Sequence, residues 1–437
     1  MKKSSLCLFA LTLATAAQAV NVSTVSARQR WPWNNLVDID FSLSDTESGA
    51  LYQIDVAARF PGIEGDEVAA KSLVTEPVVS GDGAHRVTWD LAADHPGLVT
   101  SNFSARVTVT PLGDTAPVYM VIDLSAGPTA GAGDYPVRYT TQAPDLSDDT
   151  CRTTELWLRR CPAGSFNMGY DGYESAPDGA WKTHAVTLSH PFYIGVFECT
   201  QKQYERVMGT WPSYYANEDC RETRPVENIS YRDQIRGNTG WTNGNKNDAN
   251  VGSGTFIAKM RERTGITWLD LPTDAQWEYA ARAGTDYVYG WDGVTENTVK
   301  DVARGANTPS PASGTSVNVS DTTVTTDYGT AKVGTYSPNA WGIYDMLGNV
   351  AELCGDAKAR NRPTADGTKK DGSAYTADDW TDPRMDPYNP TDLSGGRVLR
   401  GGGLNTSNPR LSVYNRQATA ADSKGRAFGF RVVVTVK

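Results

Sequence analysis

From residue 20 to about residue 147, apolar and polar positions alternate with a period of two. Val37, Ile39, Phe41 and Leu43 alternate with Asp38, Asp40 and Ser42. Ile54 and Val56 flank Asp55, Val87 and Trp89 flank Thr88, and Val107 and Val109 flank Thr108. Successive side chains of a strand point to opposite faces, so this pattern predicts strands with one buried face. Pro61-Gly62, Gly81-Asp82-Gly83 and Pro96-Gly97 supply the breaks between them. Short strands with regular turns predict a small all-β, Ig-like sandwich. His85 and His95 read as surface or turn residues. The Pro- and Asp-containing stretch from Gln142 to Asp149 reads as a linker. The expected division is therefore a sandwich over 20–147 and a second domain over 148–437.

Beyond Thr153 the texture changes. Short strands are expected around Glu155–Arg159, Pro162–Gly169, His184–Leu188 and Phe192–Gly195. A helix is expected from Thr200, with Tyr204, Val207 and Met208 on one face and Gly209 as its stop. A second spans Thr255–Thr264, with Phe256, Met260 and Arg263 on one face and Gly265 after it. A third follows Leu271-Pro272. Thr273 with Gln276 three residues on forms a capping box, Trp277, Ala280 and Ala281 form the apolar stripe, and Gly284 ends it. Residues 285–335 and 355–396, rich in small and polar residues, read as long loops.

Length and charge narrow the function. A chain of 437 residues has room for two or three domains. Its formal net charge of -10 argues against nucleic acid or an anionic membrane as a partner held by charge. Lys2-Lys3, an apolar run over Leu6–Ala16 and Ala17-Gln18-Ala19 predict a signal peptide over 1–19. That run is shorter than the ~20 residues a membrane span needs, and no other segment could span. An exported protein, periplasmic, cell-surface or extracellular, is expected. Cys7 leaves with the signal. Cys151, Cys161, Cys199, Cys220 and Cys354 remain, an odd number. Cys151 and Cys161 could close a hairpin, and Cys199 or Cys220 could reach Cys354.

The run Asn339-Ala340-Trp341-Gly342-Ile343-Tyr344-Asp345-Met346-Leu347-Gly348-Asn349-Val350-Ala351-Glu352-Leu353-Cys354 resembles the signature of the sulfatase-modifying-factor family. That family contains the formylglycine-generating enzymes. Five further elements resemble the family's in the correct order: Pro162–Gly169, Pro225–Tyr231, Leu271–Gly284, Arg397–Gly403 and Phe428–Val432. The resemblance covers about 155–437. It implies an α+β, C-type-lectin-like fold with little regular structure. It also implies a calcium site carried over to Leu347, Asn349, Val350 and Glu352, with a weaker second site at Asn307 and Thr308. Calcium takes six to eight oxygens, carbonyls among them.

The family's enzymes convert a cysteine of a Cys-x-Pro-x-Arg peptide to an aldehyde with O2 and Cu(I), held by two thiolates a few residues after the RGGS element. Here that stretch is Leu404–Arg416 and contains no cysteine. Hydroxyls do not replace thiolates for Cu(I), so copper is not expected. Cys354 is the remaining candidate for a catalytic thiol. The four histidines have no spacing that would hold iron. The leading expectation is an exported, non-catalytic protein that binds a protein, peptide or glycan through Asn405, Ser407, Asn408, Tyr414, Asn415 and Arg416. The alternatives are a formylglycine-generating-type oxidase acting on protein cysteine and a structural envelope protein.

Overall fold

The computed structural model describes residues 20–30, 35–46, 52–60, 67–75, 77–79, 81–98, 103–111, 118–171, 183–218, 220–237, 251–306, 308, 329–357, 384–385 and 396–436. The expected signal peptide, Asn307, residues 309–328 of the first predicted loop and most of the second, 355–396, lie outside them.

The first unit contains β1 (Asn21–Gln29), β2 (Leu36–Ser44), β3 (Tyr52–Arg59), β4 (Val68–Ala69), β5 (Val78–Val79), β6 (Gly83–Asp90), the short α1 (Leu91–Asp94) and β7 (Ser104–Pro111). One sheet has the order β1-β2-β6, and in the other β3 pairs with β4, β5 and β7. The alternating positions are the reason. Val37, Ile39, Phe41 and Leu43 of β2 meet Ile54 and Val56 of β3, and Val87 and Trp89 of β6, in one apolar cluster.

The second unit contains β8 (Tyr119–Asp123), β9 (Val137–Thr140), α2 (Thr150–Thr153), β10 (Glu155–Cys161), β11 (Gly164–Met168), β12 (His184–Leu188), β13 (Phe192–Gly195), α3 (Gln201–Met208), α4 (Phe256–Thr264), β14 (Leu269–Asp270), α5 (Asp274–Arg282), β15 (Ala351–Ala357), β16 (Arg384–Met385), β17 (Arg397–Arg400), β18 (Arg416–Thr419), β19 (Phe428–Gly429) and β20 (Val433–Thr435). Its largest sheet is antiparallel with the order β14-β20-β13-β10-β8-β9. The second unit's sheet thus begins at Tyr119, ahead of the expected linker. Gln142–Asp149 connects β9 to α2 within that unit, where the Leu146 and Asp148 carbonyls accept from Arg152. It is not a spacer between units, because Met120 and Ile122 of β8 supply apolar surface to the second core.

The helix signals act locally as expected. Thr200 with Gln203 and Thr273 with Gln276 form reciprocal capping boxes. Gly209 and Gly265 take left-handed conformations after α3 and α4, whereas Ala283 takes that position after α5. Tyr204 of α3 stacks on Phe256 of α4, which meets Phe430 edge-on. All nine residues of α5 are buried, its charged ones included. The expected apolar stripe of Trp277, Ala280 and Ala281 is thus only part of what the helix buries. The helix lies between sheets, and both faces are covered.

The two units are docked. Leu36 and Val74 of the first join the core of the second. A Cβ on Gly265 would lie 2.8 Å from Leu36 Cδ1, so a side chain there would push on the Leu36 side chain at this contact. The hydroxyl of Tyr139 donates to the carbonyl of Val74 at 3.3 Å.

Candidate functional site

The segment expected to hold calcium sits at the start of β15. Gly348 has a φ of 83°, and a Cβ there would collide with the Arg304 carbonyl, so glycine is required by close approach as well as by conformation. Asn349 is also left-handed, with φ 57°. Its Oδ1 accepts from Ala331 N at 2.8 Å and its Nδ2 donates to Glu198 Oε2 at 2.6 Å. Glu198 Oε1 accepts from Val350 N at 2.9 Å. Glu352 Oε1 and Oε2 accept from Nη2 and Nε of Arg431, each at 2.6 Å, and Oε2 also accepts from Trp277 Nε1 at 2.8 Å.

A fork of two charge-assisted bonds engages the Glu352 carboxylate, and the Asn349 oxygen accepts from a backbone amide. Both expected side-chain donors to calcium thus have protein partners, while Leu347 and Val350 are expected to give only their backbone carbonyls. Thr308, the weaker candidate, accepts from Gly305 N at 2.7 Å and donates to Ala303 O at 2.6 Å, bracing a turn. Among the described residues no group of three or more His, Cys, Asp or Glu side chains gathers as a metal shell.

The same locus carries surplus acid. Glu198, Asp345 and Glu352 are buried beside a shared guanidinium, Arg431. Burial, then Asp345 and Glu352, push Glu198 well above the usual carboxylate range. Burial raises Asp345 to about 6, although Gly334 N donates to it at 2.6 Å.

Cys354 is fully buried in β15, and burial pushes its thiol well above the ordinary range. It offers no thiolate to a substrate or to copper. Cys161 and Cys199 are equally buried and raised by the same cause. All five described cysteines are free, so neither suggested pairing forms.

The expected binding stretch divides in two. Asn405 and Ser407 are exposed, and Asn408 is half-buried with its Nδ2 donating to Glu296 O at 3.0 Å. Tyr414, Asn415 and Arg416 are buried. Tyr414 stacks on Tyr170 with ring centres 4.6 Å apart, and Asn415 Nδ2 donates to Arg410 O at 2.6 Å. Arg416 Nε pairs with Asp274. All three are engaged inside the fold, and Arg416 is one of the cations that the acids on the buried face of α5 require. Arg400 bridges Asp274 and Glu278, Arg282 pairs with Glu278 at 2.7 Å, and Gly169 N donates to Glu278 Oε1 at 2.8 Å. Burial alone would raise Asp274; Arg400 and Arg416 outweigh it and hold it below the usual range.

Beside the exposed half lies a ledge that the sequence reading missed. Tyr215 packs with Leu404 and Ala427, and Tyr214 lies against them. Arg426, exposed, sits 3.6 Å over the Tyr214 ring, and Arg221 sits 4.1 Å over Trp211. Tyr215 N donates at 2.8 Å to Glu227 Oε1, whose carboxyl burial raises to about 8. The available signal was Trp211-Pro212-Ser213-Tyr214-Tyr215, three aromatics in a stretch with no helical or strand period. Aromatic rings under guanidinium planes next to exposed amides can hold a polar ligand by stacking and hydrogen bonds.

A family model described as "Sulfatase-modifying factor enzyme 1-like domain" matches residues 145–436. The chain belongs to that family. Its match begins after β8 and β9, which pair in the same sheet as β10 of the matched region. The chain is 31% identical over 231 residues to "Chaperone protein LppX" of Paenibacillus barcinonensis, covering 45% of this chain and 75% of that one. It is 26% identical over 296 residues to a formylglycine-generating enzyme of Thermomonospora curvata, covering 62% and 90%. Among solved structures, Treponema denticola variable protein 1 is similar at 25% identity and a TM-score of 0.44, covering 64% of this chain and 95% of that one. PvdO from Pseudomonas aeruginosa is similar at 22% identity and a TM-score of 0.42, covering 64% and 94%.

Proposed function

We propose that this family member is a non-catalytic binding protein that takes a protein, peptide or glycan on the ledge of Trp211, Tyr214 and Arg426 with Asn405 and Ser407. The observation that carries this reading is chemical. The stretch Leu404–Ala427 contains no cysteine, Cys354 is sealed in the core, and this face carries arginines stacked on aromatic rings. Binding energy at such faces concentrates in Trp, Tyr and Arg. A relative described as a chaperone agrees with a role exercised by binding. The first unit, an Ig-like module in this reading, displays the ledge. Lys2-Lys3, the apolar run and Ala17-Gln18-Ala19 support export.

Two measurements test the reading. The chain is incubated with a Cys-x-Pro-x-Arg peptide, Cu(I), reductant and O2, beside an active control enzyme. No aldehyde is expected by mass spectrometry, and its formation overturns the proposal in favour of an oxidase. The chain is then screened on a glycan array and against a displayed peptide library. A ligand that loses about tenfold or more affinity in both Tyr214→Ala and Arg426→Ala is expected. Ligands indifferent to both changes place binding elsewhere.

A further inference from the structure

A cleft of about 550 Å3 lies between the two units, on surfaces that the proposed ledge does not use. We propose that it receives an extended acidic peptide segment, which adds as a strand to the open edge of β6.

The edge follows from register. β6 is the outer strand of the β1-β2-β6 sheet, paired with β2 without a shift from Leu43↔Gly83 to Leu36↔Asp90. Thr88 and Asp90 turn their backbone groups away from β2. Val74 N donates to Thr88 O, and Asp90 N to Ser72 O, each at 2.8 Å. Thr88 N donates to Thr75 Oγ1, also at 2.8 Å. The strand period of two puts the amides and carbonyls of Ala84 and Arg86 on that same outward side. The segment Ser72–Thr75 covers only the end of β6 near Asp90. Beyond it the chain crosses to β5 in the other sheet, and among the described residues no backbone pairs with the outward side of Ala84 and Arg86. Both residues line the cleft. An unpaired edge is a template for another strand.

Charge selects the occupant. Among the described residues Arg30, Arg86, Arg160, His85 and His190 line the cleft and no Asp or Glu does, in a chain whose net charge is -10. Arg30 is paired with Asp38 and Arg86 with Asp40, each at 2.6 Å, yet the Arg86 side chain stays 44% exposed. Arg160 and His190 face them from the second unit. Met120, Ile266 and Trp268 supply apolar wall. An added strand alternates its side chains between faces, so a segment of alternating acidic and apolar residues meets both surfaces. The cleft's volume is within the few hundred to about 1,000 Å3 typical of ligand sites.

The test uses the full chain and three probes: a fluorescein-labelled hexapeptide of alternating Val and Glu, its Val-Lys counterpart, and sodium octanoate. The Glu peptide is expected to bind about tenfold or more tightly than the Lys peptide. It is also expected to slow hydrogen exchange at the Ala84 and Arg86 amides. Ala84→Pro, which deletes an outward donor that an edge strand can spare, and Arg86→Gln are each expected to weaken it about fivefold or more. Equal binding of both peptides, or none, overturns the proposal. Displacement of the Glu peptide by octanoate with Ala84→Pro unaffected also overturns it, showing a pocket for small anions. If Ala84→Pro does not fold, the exchange measurement on the unaltered chain decides, and unslowed amides sink the strand.

Discussion

Two buried charge clusters in this protein are built on opposite principles. Around α5, Asp274 and Glu278 face Arg282, Arg400 and Arg416, so each acid has a cation. Around the start of β15, Glu198, Asp345 and Glu352 share Arg431. A buried carboxylate needs either a partner charge or a proton. The first cluster uses guanidinium groups and keeps Asp274 ionised. The second uses one guanidinium for Glu352 and backbone amides, and burial shifts Glu198 and Asp345 toward their protonated forms. Both are scaffolds for loops that have few ladder bonds.

The comparison breaks most visibly at Arg431. Arg431→Met leaves the acids of the second cluster without their guanidinium and is expected to cost about 3–5 kcal/mol in urea unfolding. Arg400→Met should cost less, because Arg282 and Arg416 remain beside Glu278 and Asp274. Equal losses would mean that the clusters are not different in kind.

Acid and base sharpen the contrast, because the clusters have opposite signs. Asp345 has a folded pKa of about 6 against an ordinary 3.8. The folded state therefore holds the extra proton, and this group's contribution is lost as pH rises from about 4 through 6. Glu227, raised to about 8 from 4.5, extends the loss to about pH 8. Asp274 is lowered, so its contribution is present above the unfolded value and is lost only as pH falls below it. Unfolding free energy should fall as pH rises from 4 to 8, by roughly 3 kcal/mol from Asp345 and about 4 kcal/mol more from Glu227. Asp345→Asn should flatten the lower half of that slope and Glu227→Gln the upper half. A curve unchanged by both would remove the protonated-acid account.

At the ledge the expected effects on stability are small. Tyr214→Ala and Arg426→Ala in a double-mutant cycle should couple by about 0.5–1 kcal/mol, the usual size of an exposed cation–π contact. The smallest effect is on the thiols. Iodoacetamide should label half-buried Cys220 in the native protein and spare Cys151, Cys161, Cys199 and Cys354, with little change in thermal midpoint. Rapid labelling of Cys354 would reopen the case for a reactive thiol.

How much of this was legible depended on distance along the chain. The strands around Val37–Leu43 and Val87–Trp89, and the capping boxes at Thr200 and Thr273, rest on side-chain periods and hydrogen bonds a few residues long. The ordered motifs from Pro162 to Phe428 were enough to name the family. Such features are local, and the sequence by itself determined them. Tertiary structure decided what each polar residue faces. Arg431 reaches Glu352 across 79 residues and Arg416 reaches Asp274 across 142. A run such as Tyr414-Asn415-Arg416 reads the same whether it faces solvent or a buried acid. The entry of β8 into the second sheet, the burial of Cys354 and the stacking of Arg426 on Tyr214 were likewise settled by what lies across the fold. A buried charge or thiol is defined by its surroundings, and those come from distant parts of the chain.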